Sequence, residues 1–239
     1  LTYNIEDARY PLLTEGADVD KSTEIDPTQR AASTDGRSPA AMLVSTFSDE
    51  LTIHTVRRAK VFGVSIKDRG AVSLAGHTGK AFWFSKAAGE FVTSRFYYDR
   101  YPDWVKKFNA DSPTRQYEDG HWELSLDRDQ YQFADLDDMP WETSLGSYGR
   151  VFPHPFGSRD DKLFTTLLTI SPAGDEMTLA FAKALVENES IGQDDVTDYL
   201  SISFSSTDYV GHIFGPSSLE AEENLLRLDR TLANLFTFV

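Results

Sequence analysis

Apolar positions in this chain fall into short periodic runs separated by long polar stretches. Residues 14–37 are rich in Asp, Glu, Thr and Ser, and they predict a loop or excursion. Ser38-Pro39 has the form of an N-cap followed by proline at the first helical position. Leu43, Phe47 and Leu51, four residues apart, then predict one face of a helix running to about His54. "KVFGVSI", Lys60 to Ile66, is a short β-type run that leads straight into "KDRGAV". In "KAFWFSKAAGEFVTSRFYY" two aromatic and β-branched runs flank a turn with Gly89, which predicts a β-hairpin. "YPDWVKKFN" predicts a short helix from near Pro102.

Residues 111–160 hold many Asp, Pro, Gly and aromatic residues but no sustained period. They predict a long irregular excursion packed by Trp122, Trp141, Tyr148 and Phe152, and such segments are often functional. "SPAGDEMTLAFAKALVENES" reads as a helix and "DYLSISF" as a strand. The last helix starts at Ser217 or Ser218; Ser217 and Glu220 have capping-box spacing, and Leu225, Leu228, Leu232 and Leu235 form its expected buried stripe. This order predicts an α/β layered fold with a mostly parallel sheet.

Composition narrows the function classes. The 239 residues are 40% hydrophobic and 13% aromatic, as suits a folded chain. A net charge of −15 disfavours a general nucleic-acid binder, which needs a basic face for phosphates. No apolar run reaches the length of a membrane-spanning helix. With no cysteine, disulfides, thiolate metal sites and cysteine nucleophiles are excluded. The N-terminal "LTYNIEDARYPLL" has no signal-peptide pattern and no initiator methionine, and "LANLFTFV" ends on an apolar helix. The expectation is an internal piece of a longer protein.

Two motifs carry chemistry. In "YLSISFSSTDYVGHIFGPSSLEAEE" an apolar run ends in a polar stretch holding Asp208 and His212. Ligands of open α/β sheets bind at the carboxyl ends of strands, and Asp and neutral His are both good zinc ligands. Gly211 and Gly215-Pro216 argue against a continuous helix here, so a glycine-assisted turn is expected to let both side chains converge on one ion. The alternative is a capped turn in which His212 hydrogen-bonds to Asp208. In "SIKDRGAVSLAGHTGKAFW", Lys67 and Arg69 follow a short strand. If the segment stays extended, both point to one side with Asp68 opposite. Two cations there suit a phosphoryl group, because Arg forks to two oxygens and Lys acts as a mobile point charge. The alternative is a solvated basic pair balanced by Asp68. His77 follows Gly76 in an expected turn and His154 lies between two prolines; both are expected to be structural, and His54 and His121 to be surface or packing residues.

"FSSTDYVGHIFGPSS…RLDRTLANLF", together with "SPAAMLVSTFSDEL" and "VFGVSIKDRGAVSLAGHTGKAFWF", resembles the alkaline phosphatase superfamily. The match is closest to PafA-like alkaline phosphatases and their phosphodiesterase/nucleotide pyrophosphatase relatives. The resemblance implies that Asp208 and His212 bind one zinc of a two-zinc centre. It implies that Lys67 and Arg69 contact the transferred phosphoryl oxygens, which favours a phosphate monoester as the small-molecule substrate. It also implies a covalent phospho-enzyme and a periplasmic or extracytoplasmic location. The family's nucleophile, its early metal-binding Asp, its later Asp-His pair and a further His have no counterpart in residues 1–239. The isolated chain is therefore expected to be inactive, a partial alkaline-phosphatase-like domain with 111–160 as its excursion or cap. A phosphodiesterase, nucleotide pyrophosphatase or phosphonate hydrolase on the same scaffold, and a non-catalytic binding module, are the alternatives.

Overall fold

The computed structural model describes residues 5–17 and 19–239; Leu1–Asn4 of the N-terminal stretch and Asp18 of the 14–37 excursion lie outside the described residues. In chain order the elements are α1 (Pro27–Arg30), α2 (Phe47–His54), β1 (Val61–Ser65), α3 (Asp68–Ala75), β2 (Lys80–Ser85), β3 (Glu90–Val92), α4 (Asp103–Ala110), β4 (His121–Trp122), β5 (His154–Pro155), α5 (Phe164–Thr169), α6 (Pro172–Glu189), β6 (Tyr199–Ser203), α7 (Ser206–Ile213) and α8 (Leu219–Phe238). The fold is α/β with a mostly parallel central sheet. Residues 1–113 and 180–203 form one compact unit, and 114–179 and 204–239 a second.

In the first unit the strands run β3-β2-β1-β6. β1 pairs in parallel with both β2 and β6, while β2 and β3 form the antiparallel hairpin around Gly89. Alternation along β2 sorts its side chains. Ala81 and Trp83 join Val92, Ala71, Val72, Ala75 and Tyr97 in one buried cluster. Phe82 turns the other way to meet Phe181 and Trp104. "KDRGAV" does not continue as extended chain: α3 begins at Asp68, directly after β1, and returns the chain to parallel β2. Ala71, Val72 and Ala75, spaced by one and three residues, are its buried face. Gly63 makes the close packing possible, since a Cβ there would stand 2.4 Å from the Ala71 carbonyl oxygen.

The helix anticipated from Ser38-Pro39 starts later. Thr46 is its N-cap and closes a capping box with Asp49. Its buried face is Ser48, Asp49 and Thr52, whereas Leu43 and Phe47 are exposed. The polar side turns inward because Asp49 Oδ1 accepts the amides of His77 and Thr78, donors that burial would otherwise strand.

In the second unit the 114–160 segment is irregular, with short 3₁₀ turns and the antiparallel pair β4–β5. Trp122 and Tyr148 are buried and pack, with Phe152, around the fully buried His154. Trp141 does not anchor this core and is 65% exposed. The last helix is capped by Ser218 rather than Ser217, its hydroxyl accepting the Ala221 amide at 3.0 Å. Its inward residues are Leu219, Glu220, Glu223, Asn224 and Thr231, while Leu225 is exposed and Leu228, Leu232 and Leu235 are half-buried. The expected leucine stripe is displaced because the acids have partners to serve. Glu223 accepts from Ser125 and Tyr131, and Glu222 accepts the amides of Gln132 and Phe133.

Candidate functional site

Lys67 is the N-cap position of α3, still extended (φ −92°, ψ 130°), and its amide donates to Ser65 Oγ at 3.0 Å. It is 7% exposed. Arg69 already lies in the first turn of α3. The same-side alternation expected of an extended segment therefore does not operate; a helical turn begins between the two cations. Both still sit just beyond the carboxyl end of β1, where open α/β sheets place their ligands.

Neither residue is a loose surface cation. The Arg69 guanidinium reaches Asp26 Oδ2 at 2.6 Å and donates to Thr28 Oγ1 at 3.0 Å. Asp68, expected opposite the pair as its counter-charge, is buried and serves a different cation. It meets Arg37 Nε at 2.6 Å and also accepts from Gln29 Nε2 and from the Arg69 amide. Burial pushes the Asp26 carboxyl up, but hydrogen bonds from Thr28 and Arg69 outweigh it and hold the group at about 2. Asp26 is thus an anion facing Arg69 at neutral pH.

Asp208 and His212 lie on α7, a continuous helix where a glycine-bent loop was expected. Gly211 is an ordinary helical residue, and the left-handed glycine is Gly215 (φ 96°), which ends the helix. Helical spacing now does the work assigned to the turn. Ser206, Tyr209, Val210 and Ile213 face inward, and Asp208 and His212 share the outer face. His212 Nε2 stands 3.6 Å from Asp208 Oδ1, with the two side chains 74% and 57% exposed. A carboxylate and an imidazole on one accessible face suit zinc as donors. They are two, and among the described residues no group of three or more such side chains is placed to hold a metal ion.

The other histidines have structural partners or lie exposed. His77 Nδ1 stands 2.8 Å from Asp49 Oδ2 and its Nε2 stands 3.0 Å from the Met42 carbonyl oxygen, both acceptors, and the hydrogen bond to Asp49 raises its pKa above the ordinary value. His154 is enclosed between the Tyr148 carbonyl and Glu220. His54 and His121 are exposed. Sequence reading missed Asp26, Thr28 and Arg37. The one available signal was Asp26-Pro27, an N-cap followed by proline inside a stretch otherwise read as loop.

The sequence profile of the type I phosphodiesterase / nucleotide pyrophosphatase family matches residues 35–239. Alkaline phosphatase PhoV of Synechococcus elongatus is 41% identical over 204 residues, covering 84% of this chain and 37% of the relative. The solved structure of wild-type alkaline phosphatase PafA superposes with a TM-score of 0.85 at 34% identity, covering 98% of this chain and 43% of that one. A PafA variant with four substitutions, among them a lysine and an arginine two positions apart changed to alanine, superposes equally well at 33% identity over the same shares of both chains. The chain spans less than half the length of these relatives. The chain belongs to the type I phosphodiesterase / nucleotide pyrophosphatase family.

Proposed function

We propose that this chain is part of a zinc-dependent phosphomonoesterase, to which it supplies the cations that hold the phosphoryl group and two ligands of one metal. The observation that carries the reading is the Lys67-x-Arg69 pair just past the carboxyl end of β1. In the related phosphatase a lysine and an arginine with this spacing were chosen for replacement together. A monoester brings one more charged oxygen than a diester, so a second cation contributes more to its transition state. Lys67 is the compact charge and Arg69 the fork.

Asp208 and His212 would hold zinc through a carboxylate oxygen and an imidazole nitrogen. When bound there, zinc supplies positive charge for a leaving oxygen or a nucleophile. Strong zinc sites use three or four protein ligands, so we assign the remaining ligands, the nucleophile and the covalent phospho-enzyme step to the part of the relatives' length that this chain does not span. Residues 1–239 alone are then inactive on aryl phosphates, and a periplasmic or extracytoplasmic location goes with the proposal. Among the described residues no helix is long and apolar enough to cross a membrane. A small-molecule phosphate ester fits the acidic chain, net charge −15, better than nucleic acid does.

A diesterase is the second reading, favoured by the family's own description. One experiment separates the two: kcat/KM of the complete protein on a matched aryl monoester and diester, with and without Arg69→Ala. The monoesterase reading expects the monoester to be preferred and to lose roughly a hundred- to a thousand-fold in the variant, with a smaller loss on the diester. Equal and small losses on both substrates would remove it.

A further inference from the structure

We infer that Asp26 is a positioning residue for Arg69: it fixes the guanidinium from the side of the 14–37 excursion, so that the fork is already oriented when a phosphoryl group arrives. The inference rests on the reading of Arg69 as a phosphoryl contact and adds the residue that aims it. Its geometry is specific. Asp26 is 4% exposed and divides its two oxygens between two tasks. Oδ1 caps the four-residue helix α1, accepting the Thr28 amide at 2.9 Å and the Thr28 hydroxyl at 2.6 Å. Oδ2 meets Arg69 at 2.6 Å. The Thr28 hydroxyl then accepts a second Arg69 nitrogen at 3.0 Å, so the guanidinium is gripped at two points by one turn of chain.

That turn is itself held. Glu24 accepts the Asp26 amide and meets Lys86. Arg30 donates two hydrogen bonds to the Glu24 carbonyl. Arg37, at the end of the excursion, is locked onto Asp68, the residue beside Arg69. A long side chain left to itself spreads over many rotamers, and a misplacement of about 1 Å costs on the order of a hundredfold in rate. A half-buried arginine fork needs such a grip more than the buried Lys67 does. Asp26 and Arg69 are 43 residues apart in sequence, so the contact forms only once the excursion has folded back onto α3.

Asp26→Asn is the discriminating change. Asparagine is as good an N-cap as aspartate, so the α1 turn persists while the charge facing Arg69 is removed. In the complete protein, Asp26→Asn should lower kcat/KM for an aryl monoester roughly 10- to 100-fold, with a smaller loss for the matched diester. In the Arg69→Ala background it should add less than threefold, because nothing is left to position. Thermal melting measured alongside checks the fold, and Asp26→Ser, which also keeps a capping oxygen, serves if the amide variant does not fold. Arg69→Ala run in parallel separates the two claims. If Arg69→Ala gives equal and small losses on both substrates, the phosphoryl role of Arg69 fails and the positioning role with it. If Arg69→Ala collapses the monoester-to-diester ratio and Asp26→Asn leaves it unchanged, or lowers it equally with and without Arg69, the positioning role alone is overturned.

Discussion

The two candidate pairs are built in opposite ways. Lys67 and Arg69 stand among buried and half-buried charges: Asp68 lies between them, and Asp26 and Arg37 come in from a distant polar segment to pair with Arg69 and Asp68. Asp208 and His212 stand on the outer face of one helix, and their spacing comes from that helix alone. The first pair is expensive to disturb because its neighbours lose partners. The second is cheap to disturb in folding terms, and the role proposed for it is to bind a metal. Stability and function should therefore separate cleanly at α7 and stay entangled at α3.

Entanglement at α3 is sharpest at Asp68. Its carboxylate and the Arg37 guanidinium are 7% and 5% exposed, at 2.6 Å. Removing one partner of such a pair strands the other charge, at a typical cost of 3–5 kcal/mol. Asp68→Ala should therefore lose about 3–5 kcal/mol in urea unfolding, and the double change Asp68→Ala with Arg37→Met should recover most of it. A loss below about 1 kcal/mol would mean that water reaches this pair and that the contrast between the two regions is overstated. Asp68, read from the sequence as the residue opposite the two cations, is in the structure the buried partner of Arg37.

A second test asks whether α3 is held in place by the sheet. At Gly63 an added Cβ would meet Ala71 O at 2.4 Å and Ala75 N at 2.9 Å, both backbone atoms that cannot swing aside. Gly63→Ala should cost about 1–3 kcal/mol. In the complete protein it should also lower monoester turnover, since α3 carries Arg69. Full turnover with lowered stability would show that the cations are held by the 14–37 segment and owe little to the seat of α3 on β1.

What was legible in the sequence follows from the range of the interactions. The β2–β3 hairpin, α6 and β6 are specified by periodicity within each segment, and they appear as read. Errors arose where a distant partner decided a local choice. Asp49 turns the polar side of α2 inward because the amides of His77 and Thr78 need an acceptor. Glu220 and Glu223 displace the leucine stripe of α8 because His154, Ser125 and Tyr131 need partners. The Asp26–Arg69 contact spans 43 residues and leaves no local pattern beyond a capped proline. For α7 the glycine was weighed too heavily. One helical glycine costs about 1 kcal/mol, and the buried Tyr209, Val210 and Ile213 outweigh it.

The second unit has its own titratable site. Asp175 is buried in α6, its Oδ1 accepts the Ser206 amide at the start of α7, and burial pushes its carboxyl up to about 7. The sign follows from linkage. The folded state holds this proton more tightly than the unfolded chain, whose carboxyl titrates near 3.9. The ionised group therefore costs stability in full above about pH 7, and that cost is relieved as pH falls towards 4. Asp175→Asn keeps the acceptor for Ser206 and removes the charge. It should stabilise the protein at pH 8 by at least about 1.4 kcal/mol, the worth of one unit, and should flatten the rise in stability between pH 7 and pH 4. An unchanged pH profile would show that the carboxyl ionises without penalty, through solvent access to the start of α7.

The smallest folding effect belongs to α7 itself. Asp208, an anion in the first turn, favours the helix dipole, and with His212 in the last turn it makes one exposed i, i+4 pair. Such a pair contributes about 0.3–0.5 kcal/mol, so Asp208→Ala or His212→Ala should shift unfolding by no more than about that. Zinc binding should respond far more. If the proposed assignment holds, either change in the complete protein removes one ligand of a metal, and the zinc retained after dialysis against a weak chelator should fall for that site while the melting curve of the metal-free protein hardly moves. The two readouts fail in different directions. A large loss of stability without zinc would make the pair a structural ion pair that the exposure of both side chains understates. Unchanged zinc content with unchanged stability would leave Asp208 and His212 as ordinary surface residues of a helix, and would move the metal to ligands that this chain does not contribute.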